Sequence, residues 1–154
     1  LDTGQQVEFT QFKNNLELEI KKIHSEYRTV RIKQFRPPAL YEQICFVDMD
    51  FTVMDINALC RENLAACEVF KTAQEGGTDE EGNAVNGYRA ASENVFLTPI
   101  AEIPIKVFDL ELYKTDTLTG EDLQTGFHCF DLVGGSFSLT LEGRGDHTRI
   151  MIGE

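Results

Sequence analysis

The sequence predicts an α+β fold in which one long N-terminal amphipathic helix packs on an antiparallel β-sheet or β-sandwich. Near the start, seven large apolar residues recur every three or four positions, which is the spacing of one helix face. After Pro37 and Pro38, short runs alternate between apolar and polar residues, which is typical of strands. The helical residues are Phe9, Phe12, Leu16, Ile20, Ile23, Tyr27 and Val30.

At 154 residues the chain has the size of one domain, and we treat residues 1–154 as a single unit. The amphipathic helix is expected over about residues 6–31, and a β-rich part over about residues 39–154. Val30, Arg31 and Ile32 also fit the period-two pattern of a strand, so the helix is expected to give way to a strand near residues 27–30. The two prolines separate the parts, since consecutive prolines fix an extended path.

The β-rich part contains one further helical segment and an acidic loop. Asp55 is a candidate N-cap for a helix over residues 55–74, which Gly76 and Gly77 would end. Residues 75–87 are polar, glycine-rich and acidic, and are expected to form a surface loop. The expected strands are residues 44–54, 93–97, 103–113, 126–132, 136–141 and 148–152.

Charge and hydropathy exclude several functional classes. The formal net charge of −12 opposes binding to nucleic acids and to anionic membrane surfaces. No run approaches the roughly 18–20 apolar residues that would span a bilayer. Because the chain begins with Leu1 rather than Met, we expect a trimmed product, with membrane contact only through a segment upstream of Leu1.

The four cysteines favour two disulfides and an exported protein, because none lies in a CxxC pair or a zinc-like array. Cys45 and Cys129 both precede a Phe in expected strands and are candidates for neighbouring strands. Cys60 and Cys67 would be about 10.5 Å apart in one unbroken helix, too far for a disulfide. We favour Cys45–Cys129, with Cys60–Cys67 closing a small loop. Four buried free thiols are the alternative.

The sequence provides no catalytic, metal or cofactor motif, so we expect a protein that is not an enzyme. His128 and Cys129 are adjacent and would point to opposite faces of a strand, which excludes a cysteine–histidine pair. The acidic clusters lack the spacing of a calcium loop. A hydrolase that used Asp48 and Asp50 as paired carboxylates is the least favoured class, because both are expected on the solvent face of one strand.

One exposed turn is a candidate for recognition by a receptor. Arg144, Gly145 and Asp146 lie between two expected strands. An exposed Arg-Gly-Asp sequence can be read by integrin-type receptors, whereas a Gly-Asp pair is also a common hairpin turn. We favour the turn and keep the receptor as the alternative.

The layout resembles the soluble part of archaeal pilin-like surface proteins, the type IV pilins and pseudopilins. The resemblance rests on the N-terminal helix, the proline break, the ICFVD and ENVFL strands and the C-terminal GGSFSLTLEGRGD segment. It implies that Val7 to Val30 is the amphipathic second half of a longer helix, and that an apolar first half precedes Leu1.

The resemblance implies a non-enzymatic extracellular or cell-surface subunit that associates with itself or with other pilin-like subunits. Because the helical stripe is longer than one small sheet needs, we expect part of it to form an assembly face, made by Phe9, Phe12, Leu16, Ile20, Ile23 and Tyr27. The alternative is a secreted ligand-binding β-sandwich or barrel, in which some of the 11 Phe residues line an apolar cavity.

Overall fold

A computed structural model describes residues 2–153 and has the predicted α+β fold. It contains three helices, α1 to α3, and ten strands, β1 to β10. The helices are α1 (Thr3–His24), α2 (Ile56–Glu62) and α3 (Leu64–Glu75). The strands are β1 (Val30–Phe35), β2 (Gln43–Val47), β3 (Gly77–Thr78), β4 (Ala84–Val85), β5 (Val95–Thr98), β6 (Leu110–Thr115), β7 (Asp122–Thr125), β8 (Phe127–Asp131), β9 (Phe137–Gly143) and β10 (Thr148–Ile152).

The strands of the larger sheet come from both ends of the chain. Its order is β1-β9-β10-β6-β7, with β10 and β6 parallel and the other neighbours antiparallel. A second sheet has the order β5-β2-β8 and is antiparallel throughout. The short β3–β4 hairpin lies within the acidic loop. The sequence predicted an antiparallel sheet, whereas the larger sheet is mixed, because β10 and β6 are parallel, and the second sheet is antiparallel.

Helix α1 covers one face of the larger sheet, as the periodicity predicts. Its buried side chains share one hydrophobic core with Leu139, Leu141 and Ile150 of the sheet. The Thr148 hydroxyl donates to the Ile20 carbonyl across this interface at 2.7 Å. One amphipathic face thus holds the helix against the sheet along most of its length.

The three-stranded sheet lies between two cores. Ile44 and Leu97 face the core of α1, whereas Val47 and Phe96 face a second core formed with α2 and α3. Alternate side chains of a strand point to opposite faces, so each strand contributes to both cores. The second core also explains the continuous apolar run of residues 44–47, all of which are buried.

The N-terminal helix is shorter than the predicted range of about 6–31. It begins at Thr3, where Asp2 and Gln5 form a capping box, and it ends at His24. Arg28 has φ +67°, and Val30 is already paired with Glu142 in the sheet. The helix therefore ends a few residues short of the predicted range of about 6–31, whereas the strand begins at Val30, within residues 27–30 where the helix was expected to give way to a strand.

Residues 55–74 form two helices rather than one. Asn63 is extended (φ −155°, ψ 108°), and its side chain accepts from the Ala66 amide at 2.9 Å to cap α3. This break brings the Cα atoms of Cys60 and Cys67 to 4.8 Å, and the two residues form a disulfide. Cys45 and Cys129 are opposite one another in β2 and β8 and form the second disulfide. Both pairs are those that the sequence favoured.

Candidate functional site

The predicted assembly face lies mainly inside the domain. Five of its six residues are at most 5 % exposed and belong to the core shared with the larger sheet. These five are Phe9, Phe12, Leu16, Ile20 and Ile23. The expectation that part of this stripe remains free is wrong for them, because the sheet is long enough to cover it. Tyr27 is 56 % exposed and lies beyond the end of the helix.

The exposed end of α1 is its first two turns. Asp2, Thr3, Gly4 and Val7 are exposed, and Phe9 is the first fully buried residue of the helix. Basic side chains occupy the last turn, at Lys21, Lys22 and His24, where they complement the negative end of the helix dipole. The first turn of the helix thus contributes no buried side chain to the core.

Of the two charged side chains in the Arg-Gly-Asp turn, only that of Asp146 is largely exposed, and both have a partner within the chain. The Arg144 guanidinium donates to Glu142 at 2.6 Å and lies over the Tyr27 ring, 5.5 Å from its centroid. The Asp146 side chain is 90 % exposed and contacts the His147 ring at 2.7 Å. Arg144 is held against the protein, which favours the turn over a receptor-binding loop.

Two carboxyl groups that are shielded from solvent, Asp48 and Asp109, were not predicted from the sequence, and we refer to them as the carboxylate pair. Asp48 is only 4 % exposed and follows β2, and Asp109 is partly buried just before β6. The Asp48 carboxylate accepts from the Asp50 amide at 3.0 Å and from the Gln124 side chain at 3.4 Å. The bond to the amide of Asp50 forms an Asx turn and ends the strand at Val47. The sequence suggested that Asp48 and Asp50 both lie on the solvent face of one strand. This prediction is wrong, because both residues follow the end of β2 and Asp48 is buried.

Burial makes these carboxyls titrate near neutral pH. It raises the pKa of Asp48 to about 7, and the nearby Asp50 and Asp109 carboxylates add to the rise. Burial likewise raises the pKa of Asp109 to about 6, again with a contribution from Asp50. The pair thus takes up and releases protons in the physiological range.

Hydrogen bonds between side chains and backbone groups stabilise the segments around the carboxylate pair. Asp50 accepts from the Tyr88 amide at 2.9 Å, and the Tyr88 hydroxyl donates to the Val107 carbonyl at 3.0 Å. The buried Asn94 side chain bonds both backbone groups of Val107. Within residues 2–153, no group of three or more histidine, cysteine or carboxylate side chains is arranged to hold a metal ion. The contacts of the pair are structural, and we assign it no catalytic role.

The three histidines lie apart and have different environments. His24 stacks on Phe108, with the ring centroids 4.1 Å apart. Burial lowers the pKa of His128. Burial also acts to lower the pKa of His147, but its contacts with Glu111 and Asp146 outweigh it and raise that pKa. The sequence could not predict the contact between His147 and Glu111, because the two residues are far apart in the chain and meet only through the pairing of their strands.

Compared with models of known protein families, with curated proteins and with solved structures, the chain matches none of them. None of the helices within residues 2–153 combines the length and the apolar character needed to cross a membrane. The functional proposal therefore depends on the geometry described above and on the resemblance in layout.

Proposed function

We propose that this chain is a non-enzymatic extracellular or cell-surface subunit of the pilin-like class, carried by its N-terminal helix. The observation that supports this most is the placement of α1. One face of the helix packs against the larger sheet, and no residue from Asp2 to Glu8 is buried. A pilin domain is organised in this way on the second half of its long helix.

The two disulfides support the extracellular part of the proposal. Cys45–Cys129 and Cys60–Cys67 account for all four cysteines, and disulfides persist mainly in oxidising compartments. The acidic surface agrees with a protein that stays dispersed until it is assembled.

Assembly in this proposal uses the exposed N-terminal end of α1 and not the buried stripe. The capping box of Asp2 and Gln5 starts α1 in this chain. If an apolar helix preceded Leu1, backbone bonds would take the place of this cap, and the stripe from Phe9 to Ile23 would stay on the sheet.

The deciding experiment is the intact mass and N-terminal sequence of the protein isolated from its source cells. The proposal expects about 20–25 additional apolar residues before Leu1, in helical continuity with α1. A native chain that begins at or near Leu1 would contradict it.

A secreted ligand-binding domain is the second candidate, and one groove favours it. The open groove has a volume of about 550 Å³ between the first half of α1 and the end of β1, and Phe12, Gln34 and Arg36 are among its lining residues. Organic extraction of the native protein followed by mass spectrometry separates the candidates. A stoichiometric small molecule or lipid would favour the binding domain, and a pilin-like subunit carries none.

A further inference from the structure

The acidic loop contains an asparagine that is followed by glycine. Among the asparagines of the sequence only Asn86 precedes a glycine, and it follows β4 directly. Asparagine is a thermolabile residue, because the backbone nitrogen of the next residue can attack its side-chain carbonyl carbon. Glycine has no Cβ to hinder that attack. Asn86 therefore has the least hindered neighbour of all the asparagines in this chain.

The fold requires glycine at the position after Asn86. Gly87 has φ +63°, which side chains of the L configuration rarely adopt, and a Cβ there would overlap the carboxylate of Asp50. The same carboxylate accepts from the Tyr88 amide at 2.9 Å. The Asn-Gly pair is thus part of the contact between the acidic loop and the segment after β2, and a bulkier residue cannot replace its glycine.

The side chain of Asn86 is available for reaction. It is exposed, and it makes no hydrogen bond that would cap the 3₁₀ turn of residues 87–89. The preceding strands β3 and β4 have two residues each, and a hairpin this short opens readily. Opening exposes Gly87, which is otherwise buried, and lets its nitrogen approach the Asn86 side chain.

Asn83 provides a comparison within the same loop. Its side chain donates to the Asp79 carboxylate at 3.4 Å, and its backbone amide donates to that carboxylate at 2.8 Å. These contacts hold Asn83 in place, and the Cβ of Ala84 hinders attack by the next nitrogen. Two nearby asparagines therefore differ in both features that govern the reaction, the freedom of the side chain and the size of the next residue.

We propose that Asn86 is a site of spontaneous deamidation in the folded chain. The Gly87 nitrogen loses its proton and bonds to the side-chain carbonyl carbon of Asn86, and the amide nitrogen leaves as ammonia to give a cyclic imide. Water then opens the ring at either carbonyl, which yields aspartate or isoaspartate. The net reaction consumes one water, releases one ammonia and changes the formal net charge from −12 to −13. This modification goes beyond the proposed function and does not depend on it.

The isoaspartate product changes the backbone as well as the charge. The main chain then passes through the former side chain, which inserts one carbon atom before Gly87. Because Gly87 packs against the Asp50 carboxylate, the longer backbone moves the Tyr88 amide away from its acceptor. The contact between the acidic loop and the segment after β2 is weakened as a result.

The new charge lies beside the C-terminal end of α3. A side-chain carbon at Gly76, the C-cap of α3, would be 3.7 Å from the Cβ of Asn86. The last turn of α3 contains no basic residue, so a carboxylate here is repelled by the negative end of the helix dipole without compensation. Charge and backbone length thus act together to loosen residues 86–91.

The first test is ageing of the full chain in neutral and mildly alkaline buffers, followed by digestion at acidic pH and peptide mapping by mass spectrometry. We expect Asn86 to deamidate at least about tenfold faster than Asn83, because only Asn86 has glycine as its neighbour. The rate should rise with pH, since the attacking nitrogen must lose a proton. Loss at Asn86 that is equal to or slower than loss at Asn83 would overturn the proposal.

Two variants serve as matched controls. Asn86→Gln adds a methylene group that disfavours ring closure, so the aged variant should keep its charge. Asn83→Gln should age as the wild type does. Anion-exchange chromatography separates the more acidic product from the starting chain. Accumulation of the same acidic form in the Asn86→Gln variant would give it another origin and would overturn the assignment to Asn86.

Amide hydrogen exchange tests the structural consequence. Exchange at residues 87–91 should be faster in the isoaspartate fraction than in the fresh chain, whereas residues 139–141 of β9 should be unaffected. An Asn86→Asp variant has the charge without the extra backbone carbon and should show a smaller increase. Unchanged exchange at residues 87–91 in the isoaspartate fraction would overturn the proposed loosening of this segment.

Discussion

Asp48 shows how a single buried carboxyl couples folding to pH. Its usual pKa of 3.8 is raised to about 7 in the folded chain, first by burial. Between these values the folded chain holds a proton that the unfolded chain has lost. Stability therefore falls as pH rises through this window, and the full penalty applies above about pH 7.

We expect Asp48→Asn to remove this dependence. The carboxyl should reduce the free energy of unfolding by on the order of 2–3 kcal/mol between pH 5 and pH 8, and the isosteric amide has no charge to bury. Urea unfolding of the wild type and the variant at both pH values measures the difference. Parallel pH profiles for the two proteins would contradict the role of Asp48.

The comparison with the variant is needed because other groups also titrate. His147 has a raised pKa, so its contribution to stability is likewise lost as pH rises. Contacts with Asn83 lower the pKa of Asp79, whose contribution is instead lost on acidification. Subtracting the Asp48→Asn profile from that of the wild type cancels both effects. Asp109, whose pKa is raised to about 6 and whose charge acts on Asp48, contributes in the same direction as Asp48.

At the scale of secondary-structure elements, α1 is a part of the core. Phe9 and Phe12 are 2 % and 5 % exposed, and Phe12 meets Phe137 of β9 edge to face at 6.2 Å. If these residues formed only an assembly face, replacing both by Ser would stop assembly and leave the domain folded. Because both are buried, the same replacement should disrupt the domain itself.

We expect Phe9→Ser/Phe12→Ser to destabilise the domain severely. Truncation of a buried Phe costs about 3–5 kcal/mol per site, and two sites approach the whole stability of a typical domain. Circular dichroism and urea unfolding measure the effect. Val7→Ser/Leu18→Ser on the exposed face of α1 is the matched control and should change stability by less than about 1 kcal/mol. Equal stability of the two variants would show that the stripe is not packed on the sheet.

The stripe shows what periodicity can and cannot predict. The spacing of Phe9 to Ile23 identified the helix and its buried face correctly. The same spacing continues to Tyr27 and Val30, but the period-two pattern of Val30 to Ile32 correctly indicated a strand there, which pairs with β9 more than a hundred residues away in sequence. The sequence also predicted one helix over residues 55–74 and did not place the break at Asn63. A break was nevertheless required by the favoured Cys60–Cys67 disulfide, because the two cysteines would be too far apart in one unbroken helix.

The carboxylate pair was missed for a similar reason. In the run ICFVDMD, Asp48 and Asp50 fit the alternation of a strand. Their actual positions depend on a hydrogen bond that the Asp50 amide donates to the Asp48 carboxylate and on the contact of Asp48 with Gln124, which is 76 residues away in sequence. Local patterns cannot contain the second of these contacts.

Across the whole molecule, the two disulfides constrain the chain to different extents. Cys45 and Cys129 are 84 residues apart, whereas Cys60 and Cys67 are seven apart. A bond that closes a longer loop removes more entropy from the unfolded chain.

We expect Cys45→Ala/Cys129→Ala to lose about 4–5 kcal/mol of stability and Cys60→Ala/Cys67→Ala about 2–3 kcal/mol, on the loop-entropy model. Urea unfolding under non-reducing conditions ranks the two variants, and each serves as the control for the other. A larger loss from the short loop would indicate that local packing around α2 and α3 outweighs chain entropy.

The pairing of β1 with β9 also affects when the chain can fold during its synthesis. The surface on which α1 rests is made largely by β9 and β10, which follow it by more than a hundred residues in the sequence. Until residues 137–152 are available, the apolar face of the first helix has no sheet to cover. During synthesis α1 therefore stays exposed until β9 and β10 have been made, so this core is expected to form late and not progressively from α1 onward.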